Sequence, residues 1–223
     1  MRTSAYIDET ELGSLARSWL DEIRSQTAPR PRLELDADRA ALLVIDMLRY
    51  FADPSGRCHL PAATAIIGRI QSLIAAWRAL GRPVIFTRHC HEGQHDLGML
   101  GRFFSDYIRA GEPDAEIVPA LAPSPGELVF KKTTYDAFLG TDLEATLRKK
   151  DIEQVVITGV LTHMCCETTA RAAFCRGFEV YVPVDAVASS TEERHLGSLL
   201  AMADSVAVMH STQEVLERCA TNK

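Results

Sequence analysis

The chain has 223 residues, 47% of them hydrophobic and 24% charged, which supports one globular domain with a continuous core and is too little for two full domains. A formal charge of −6 gives no electrostatic reason to expect nucleic acid or an anionic membrane surface as partner, so a small-molecule substrate is expected. No apolar run approaches the roughly 18 residues of a membrane span, and Glu9, Glu11, Asp21 and Glu22 fall where a signal-peptide core would lie, so a cytoplasmic protein is expected.

In chain order, Leu12, Leu15, Ala16, Trp19, Leu20 and Ile23 recur at helical spacing and predict an amphipathic helix over residues 8–25. Thr27 to Arg32, with two prolines, reads as a linker, so residues 1–35 form a leading helix and linker and 36–223 the main domain. A buried strand over Ala41–Asp46 is followed by a helix over Pro61–Leu80, closed by Gly81, and a strand over Pro83–Thr87. Further strands are predicted over Leu128–Phe130, Gln154–Thr158, Glu179–Val184 and Ser205–Met209. Helices are predicted over Leu143–Lys150, His163–Arg176, Glu192–Ala203 and Gln213–Cys219. Runs such as Val155-Val156-Ile157 fit strands buried on both faces. Strand-helix alternation then implies a three-layer α-β-α, Rossmann-like α/β fold with an open, mostly parallel sheet of about six strands.

In such sheets ligands bind beyond the carboxyl ends of the strands. The residues there are Asp46, Thr87-Arg88-His89, Lys131-Lys132, Leu161 through Cys165, and Asp185. Six cysteines without a CxxC pair suggest neither a disulfide framework nor a zinc site and read as reduced thiols. Among them Cys165 follows a strand and opens a helix. With Thr162 as N-cap it would be the third helical residue, where the helix dipole and free N–H groups lower a thiol pKa and can hold an oxyanion. Position alone also allows Cys165 and Cys166 to be small packing residues, the role expected for Cys166 and Cys175. Asp46 is a candidate base and otherwise an ordinary turn or cap aspartate. Strand alternation puts Lys131 and Lys132 on opposite faces, so one of them enters the site.

Three segments together resemble a known family: Leu43-Val44-Ile45-Asp46; Lys132-Thr133-Thr134-Tyr135-Asp136-Ala137-Phe138; and Thr158-Gly159-Val160-Leu161-Thr162-His163-Met164-Cys165-Cys166-Glu167-Thr168-Thr169-Ala170. They look like the isochorismatase-like cysteine hydrolases, which include isochorismatases, nicotinamidases and N-carbamoylsarcosine amidohydrolases, over about residue 36 to the C-terminus. The resemblance implies Asp46 as general base, Lys132 as orienting cation and Cys165 as nucleophile. It also implies a cis peptide between Val160 and Leu161, an oxyanion hole of the Leu161 and Cys165 N–H groups, and a homo-oligomer, dimer or tetramer.

Nicotinamidases of this family carry a metal set after the second strand, and its aspartate position is His89 here. His89, His91 and His95 could ligate a metal. The reading adopted is no metal and no cofactor, with His89 as a substrate contact beside Tyr50, Phe103, Phe104, Tyr135 and Leu161. Where isochorismatases hold a substrate-binding arginine this chain has Leu97, leaving Arg88 or Arg102 as possible replacements, and Thr133 and Leu161 replace a Trp and a Tyr. A retained thiol favours acyl chemistry at a C–N bond, so a cysteine amidohydrolase with an Asp-Lys-Cys triad is the leading expectation. An isochorismatase-type vinyl-ether hydrolase and a non-catalytic thiol-redox or binding module are the alternatives.

Overall fold

The computed structural model describes residues 6–221. Its strands are β1 (Ala40–Ile45), β2 (Val84–His89), β3 (Leu128–Lys132), β4 (Gln154–Val160), β5 (Glu179–Pro183), β6 (Val187–Ala188) and β7 (Val208–His210). They form an open sheet in the order β3-β2-β1-β4-β5-β7, with the two-residue β6 paired to β4, and all the pairings are parallel. Every residue of β1 and β4 is buried, which is what unbroken runs of apolar side chains require when helices cover both faces of a sheet.

The helices are α1 (Leu12–Gln26), α2 (Arg49–Ala52), α3 (Pro61–Ala65), α4 (Ile67–Ala79), α5 (Leu100–Phe103), α6 (Leu143–Lys149), α7 (Glu167–Cys175), α8 (Glu192–Ser205) and α9 (Thr212–Thr221). The single helix expected over Pro61–Leu80 is two, broken at Ile66, where ψ falls to −6° without a glycine or proline to announce it. At the other end, α8 continues to Ser205 and delays the last strand to Val208–His210. None of the described helices is long and apolar enough to cross a membrane.

The leading helix is part of the main core. Leu12, Ala16, Trp19, Leu20 and Ile23 are buried in the same cluster as the sheet, and burial of each large apolar side chain there contributes about 1.5–3 kcal/mol. Trp19 Nε1 donates to Glu192 Oε1 of α8 at 2.9 Å, and its ring meets His195 edge-on at 4.6 Å. Chain order along the sheet reverses between β1 and β4, so the crevice of this fold opens at their carboxyl ends.

Candidate active site

Asp46 leaves β1 in a left-handed conformation, φ 48°, which an aspartate tolerates better than most residues and which turns its carboxylate out of the sheet plane. The neighbouring Gly159 of β4, at φ 107°, is opposite Ile45, and a Cβ there would lie 2.0 Å from the Ile45 carbonyl oxygen. The chain therefore passes this close to the Asp46 turn only with glycine. Thr87 of β2 fixes the carboxylate: its hydroxyl donates to Asp46 Oδ1 at 2.7 Å and accepts from Asp46 N at 3.1 Å.

Lys132 ends β3 with its side chain wholly buried, whereas Lys131 points to solvent and pairs with Glu92. The Lys132 ammonium is 2.7 Å from Asp46 Oδ2, an ion-pair contact off the ideal hydrogen-bond direction. It also donates to the Thr134 carbonyl at 2.9 Å and to Cys165 Sγ at 3.2 Å, and is 3.3 Å from His89 Nδ1. The three family residues from distant parts of the chain therefore meet around one nitrogen.

Burial and charge oppose each other here, and the balance differs from group to group. Burial pushes the Asp46 carboxyl up, but Lys132 and then His89 outweigh it and hold it below its ordinary value. Burial pulls Lys132 down, and Asp46 with Cys165 more than reverse that, so the ammonium stays charged. For Cys165 burial wins: the thiol, only 7% exposed, is pushed up to about 12 against the lowering influence of Lys132, with Asp46 adding to the rise. The helix N-terminus was expected to lower this thiol, and desolvation reverses that expectation. Burial and the charge of Lys132 likewise take His89 down to about 4, so its ring is neutral at pH 7.

The turn that carries Cys165 also departs from expectation. Leu161, and not Thr162, is the N-cap, and residues Thr162–Cys166 form a turn of π-helix. The Thr162 hydroxyl is spent on His195 Nδ1 at 2.9 Å, and the Ser198 hydroxyl donates to the Thr162 carbonyl at 3.2 Å, so α8 holds the turn from behind. Its wide bonds run from Cys166 N to the Leu161 carbonyl and from Glu167 N to the Thr162 carbonyl. They leave the Leu161 and Cys165 N–H groups outside that pattern, and the Leu161 N–H belongs to a cis peptide between Val160 and Leu161. Cys166 is buried in the core, but Cys175, expected to pack there too, is exposed at the end of α7.

A cleft opens over Cys165. Tyr50, His89, Phe104, Tyr135 and Leu161 line it, but Phe103 does not: it is 79% exposed, its ring against that of Phe104. Adjacent side chains leaving a helical turn diverge by roughly 100°, so the two phenylalanines do not share a face. Sequence reasoning missed Cys58, Asp106 and Tyr107, which also line the cleft. They come from irregular loops with no periodic signal. The sequence places Thr87 at this sheet edge with His89, two residues on along the same strand face, but does not reveal its contact with Asp46. Arg88 and Arg102 are not among the lining residues.

Of the three histidines, His89 and His91 come together and His95 stands apart. His91 Nε2 is 3.2 Å from His89 Nε2, and its Nδ1 meets the Asp96 carbonyl at 3.2 Å, while His95 is exposed and its ring folds back toward Gly93. Among the described residues, the donors of Asp46, His89 and Cys165 lie within 4.8 Å of one another. The Lys132 ammonium is within 3.3 Å of all three, so a cation already stands where a metal would sit.

Residues 40–214 match the family model of the isochorismatase domain. The chain is 40% identical over 168 residues to nicotinamidase 3 of Arabidopsis thaliana, covering 74% of this chain and 80% of that protein. It is 32% identical over 184 residues to the isochorismatase of Bacillus subtilis, covering 82% of this chain and 59% of that one. Among solved structures, a cysteine hydrolase from Pseudomonas syringae pv. phaseolicola superimposes with a TM-score of 0.83 at 28% identity, covering 88% of this chain and 99% of that chain.

Proposed function

Because the chain belongs to the isochorismatase family of hydrolases, we propose that it is a cysteine amidohydrolase that cleaves the C–N bond of a small amide, carbamoyl or ureido compound through a Cys165 thioester. The observation that carries this reading is the Cys165 thiol in contact with Lys132, itself paired with Asp46. A vinyl-ether hydrolase needs an acid and has no use for such a thiol.

Since burial keeps the thiol protonated, its deprotonation is coupled to attack. Asp46 accepts the proton as sulfur bonds to the carbonyl carbon, so negative charge develops on the carbonyl oxygen and does not rest on an isolated thiolate. The Leu161 and Cys165 N–H groups receive that oxyanion. Asp46 then returns the proton to the departing nitrogen, ammonia or an amine leaves, and a thioester remains. Water deprotonated by Asp46 attacks the thioester, the C–S bond breaks, and the proton goes back to sulfur. Lys132 stays protonated throughout, keeping the resting carboxylate ionised and offsetting charge near sulfur.

The similarity to an isochorismatase supports a second reading in which Asp46 protonates a vinyl ether. An activity screen of wild type against Cys165→Ala on small amides, carbamoyl compounds and isochorismate separates the two. Release of ammonia or amine by wild type, abolished in the variant, is expected. Full activity of Cys165→Ala on isochorismate would overturn the amidohydrolase reading.

A further inference from the structure

We propose that the cleft selects amides bearing a positively charged nitrogen group, recognised by Asp106 at its rim, and turns away substrates bearing a carboxylate; this rests on the amidohydrolase reading for its chemistry but not for its binding test.

Charge along the cleft wall is one-sided. Among the described lining residues there is no lysine or arginine. Asp46 is neutralised at 2.7 Å by Lys132 behind it, and His89 carries no charge at pH 7, which leaves Asp106, shared with Arg57 at 3.2 Å, as the remaining charged group facing the ligand space. The guanidinium that reaches this rim, Arg57, is engaged through four of its five N–H groups. Its Nε donates to Asp114 Oδ2 at 2.6 Å, Nη1 to Asp106 Oδ1 at 3.2 Å, and Nη2 to the Tyr107 carbonyl at 3.3 Å and Glu112 Oε2 at 3.5 Å. Asp106, Glu112 and Asp114 gather around Arg57, and with Arg109 on Glu112 the cluster carries a net charge of −1. Arg109 in the same loop is engaged as well, with Glu112 at 3.6 Å and with its guanidinium 4.7 Å from the Tyr107 ring centre. A substrate carboxylate entering here would be desolvated beside Asp106, and the guanidiniums at the rim are already held by carboxylates.

The same wall suits a cation. The Asp106 carboxylate is oriented by two lining residues, accepting from the Tyr50 hydroxyl through Oδ2 at 2.9 Å and from Tyr107 N through Oδ1 at 2.9 Å. Oδ2 has capacity for a further donor, since a carboxylate oxygen accepts two bonds. Phe104 and Tyr135 supply aromatic surface around the ligand space, Tyr50 and Tyr107 already carrying Arg57 and Arg109 over their rings, and ring faces attract cations and repel carboxylates. A carboxylate among aromatic rings, with the nearby guanidinium engaged, is chemistry for an ammonium or protonated heterocyclic nitrogen.

The test is calorimetric binding to Cys165→Ala, which keeps amides uncleaved, with 4-(aminomethyl)benzamide, benzamide and 4-carboxybenzamide. Affinity should fall in that order, spanning about 100-fold at low salt and narrowing as salt rises. Adding Asp106→Asn should reduce the span to about 5-fold while leaving benzamide within about 2-fold of its original affinity. Arg57→Gln, which releases Asp106, should widen it. Equal or tighter binding of the carboxylate, a span unchanged by Asp106→Asn, or no binding of any of the three overturns the proposal. Ammonia release by wild type from the same compounds is read separately. If none is hydrolysed, and the wider screen of amides and carbamoyl compounds also releases no ammonia or amine, while the binding order holds, the amidohydrolase reading fails and the cation preference stands. If the carboxylate is cleaved best, the preference fails and the amidohydrolase reading stands.

Discussion

Lys132→Met removes the ammonium and keeps most of the side-chain volume, so it isolates what the buried charge does. In the folded protein Asp46 and Lys132 are both buried and 2.7 Å apart. Losing one partner of such a pair costs about 3–5 kcal/mol, because the remaining charge is left in a medium that solvates it poorly. Without Lys132 the burial of Asp46 is no longer outweighed, so its folded pKa rises above the ordinary 3.8. The folded state then holds the proton more tightly than the unfolded one, and the penalty is small near the unfolded value. It grows by about 1.4 kcal/mol per pH unit until the raised folded pKa is passed. Urea unfolding at pH 5 and pH 8 should therefore show the gap between wild type and variant widening with pH. Asp46→Asn alone should also destabilise, by stranding Lys132, and the double variant should recover at least about 2–3 kcal/mol relative to the sum of the singles. A single-variant loss below about 1 kcal/mol at pH 8, or additivity in the cycle, would refute the account of this pair as a coupled buried unit.

Other expectations follow from the same geometry. Alkylation of Cys165 by iodoacetamide, followed by peptide mapping, should be slow at pH 7 and rise with pH through 9 without a plateau, since burial pushes the thiol to about 12; a plateau near neutrality would mean that a thiolate is preformed. Gly159→Ala should lose about 3 kcal/mol or more, because its Cβ meets the Ile45 carbonyl oxygen at 2.0 Å, and a thermal melt within about 1 °C of wild type would contradict this. Acid should destabilise the fold, because burial lowers His195 to about 3, and burial with nearby cationic charge lowers His89 and His210 to about 4. Unfolding therefore takes up protons between the folded and ordinary values, and each histidine adds about 1.4 kcal/mol per pH unit to the slope. Denaturation midpoints measured from pH 7 down to 4.5 should fall monotonically.

The parts of the molecule legible in the sequence are those where a periodic pattern coincides with burial on both faces. Val155-Val156-Ile157 and Leu42-Leu43-Val44-Ile45 announce central strands because nothing polar interrupts them, and their ends locate Asp46 and Cys165. The turn at Cys165 was less readable. Thr162 before an apolar helix has the pattern of an N-cap, but its hydroxyl is taken by His195, which is 33 residues away in sequence and brought close only by the packing of α8 on the turn. The same is true of the cleft wall, where Asp106 and Cys58 belong to loops whose positions follow from tertiary contacts such as Arg57 with Asp114. Phe103 and Phe104 were indistinguishable as apolar neighbours, and the local helical turn sends one into the cleft and the other to solvent.

The thiol pKa shows most clearly why position alone misleads. A helix N-terminus is worth about 0.3–1 kcal/mol to a nearby charge, while desolvating a charged group costs several. A cysteine that is 7% exposed is therefore governed by burial, even at the start of a helix. That ordering has a functional consequence. In the proposed reaction, a nucleophile kept as a thiol beside Asp46 and Lys132 does not sit in the resting cleft as a charge open to oxidants or stray electrophiles, because thiolate character drives those reactions. It becomes nucleophilic when a carbonyl is near enough to take the electrons and the N–H groups of Leu161 and Cys165 can receive the resulting oxyanion. On this account selectivity for the substrate and activation of the sulfur are one event, and the groups that shape the cleft, Asp106 and the aromatic wall, control the rate of bond cleavage by deciding which carbonyl arrives beside Cys165.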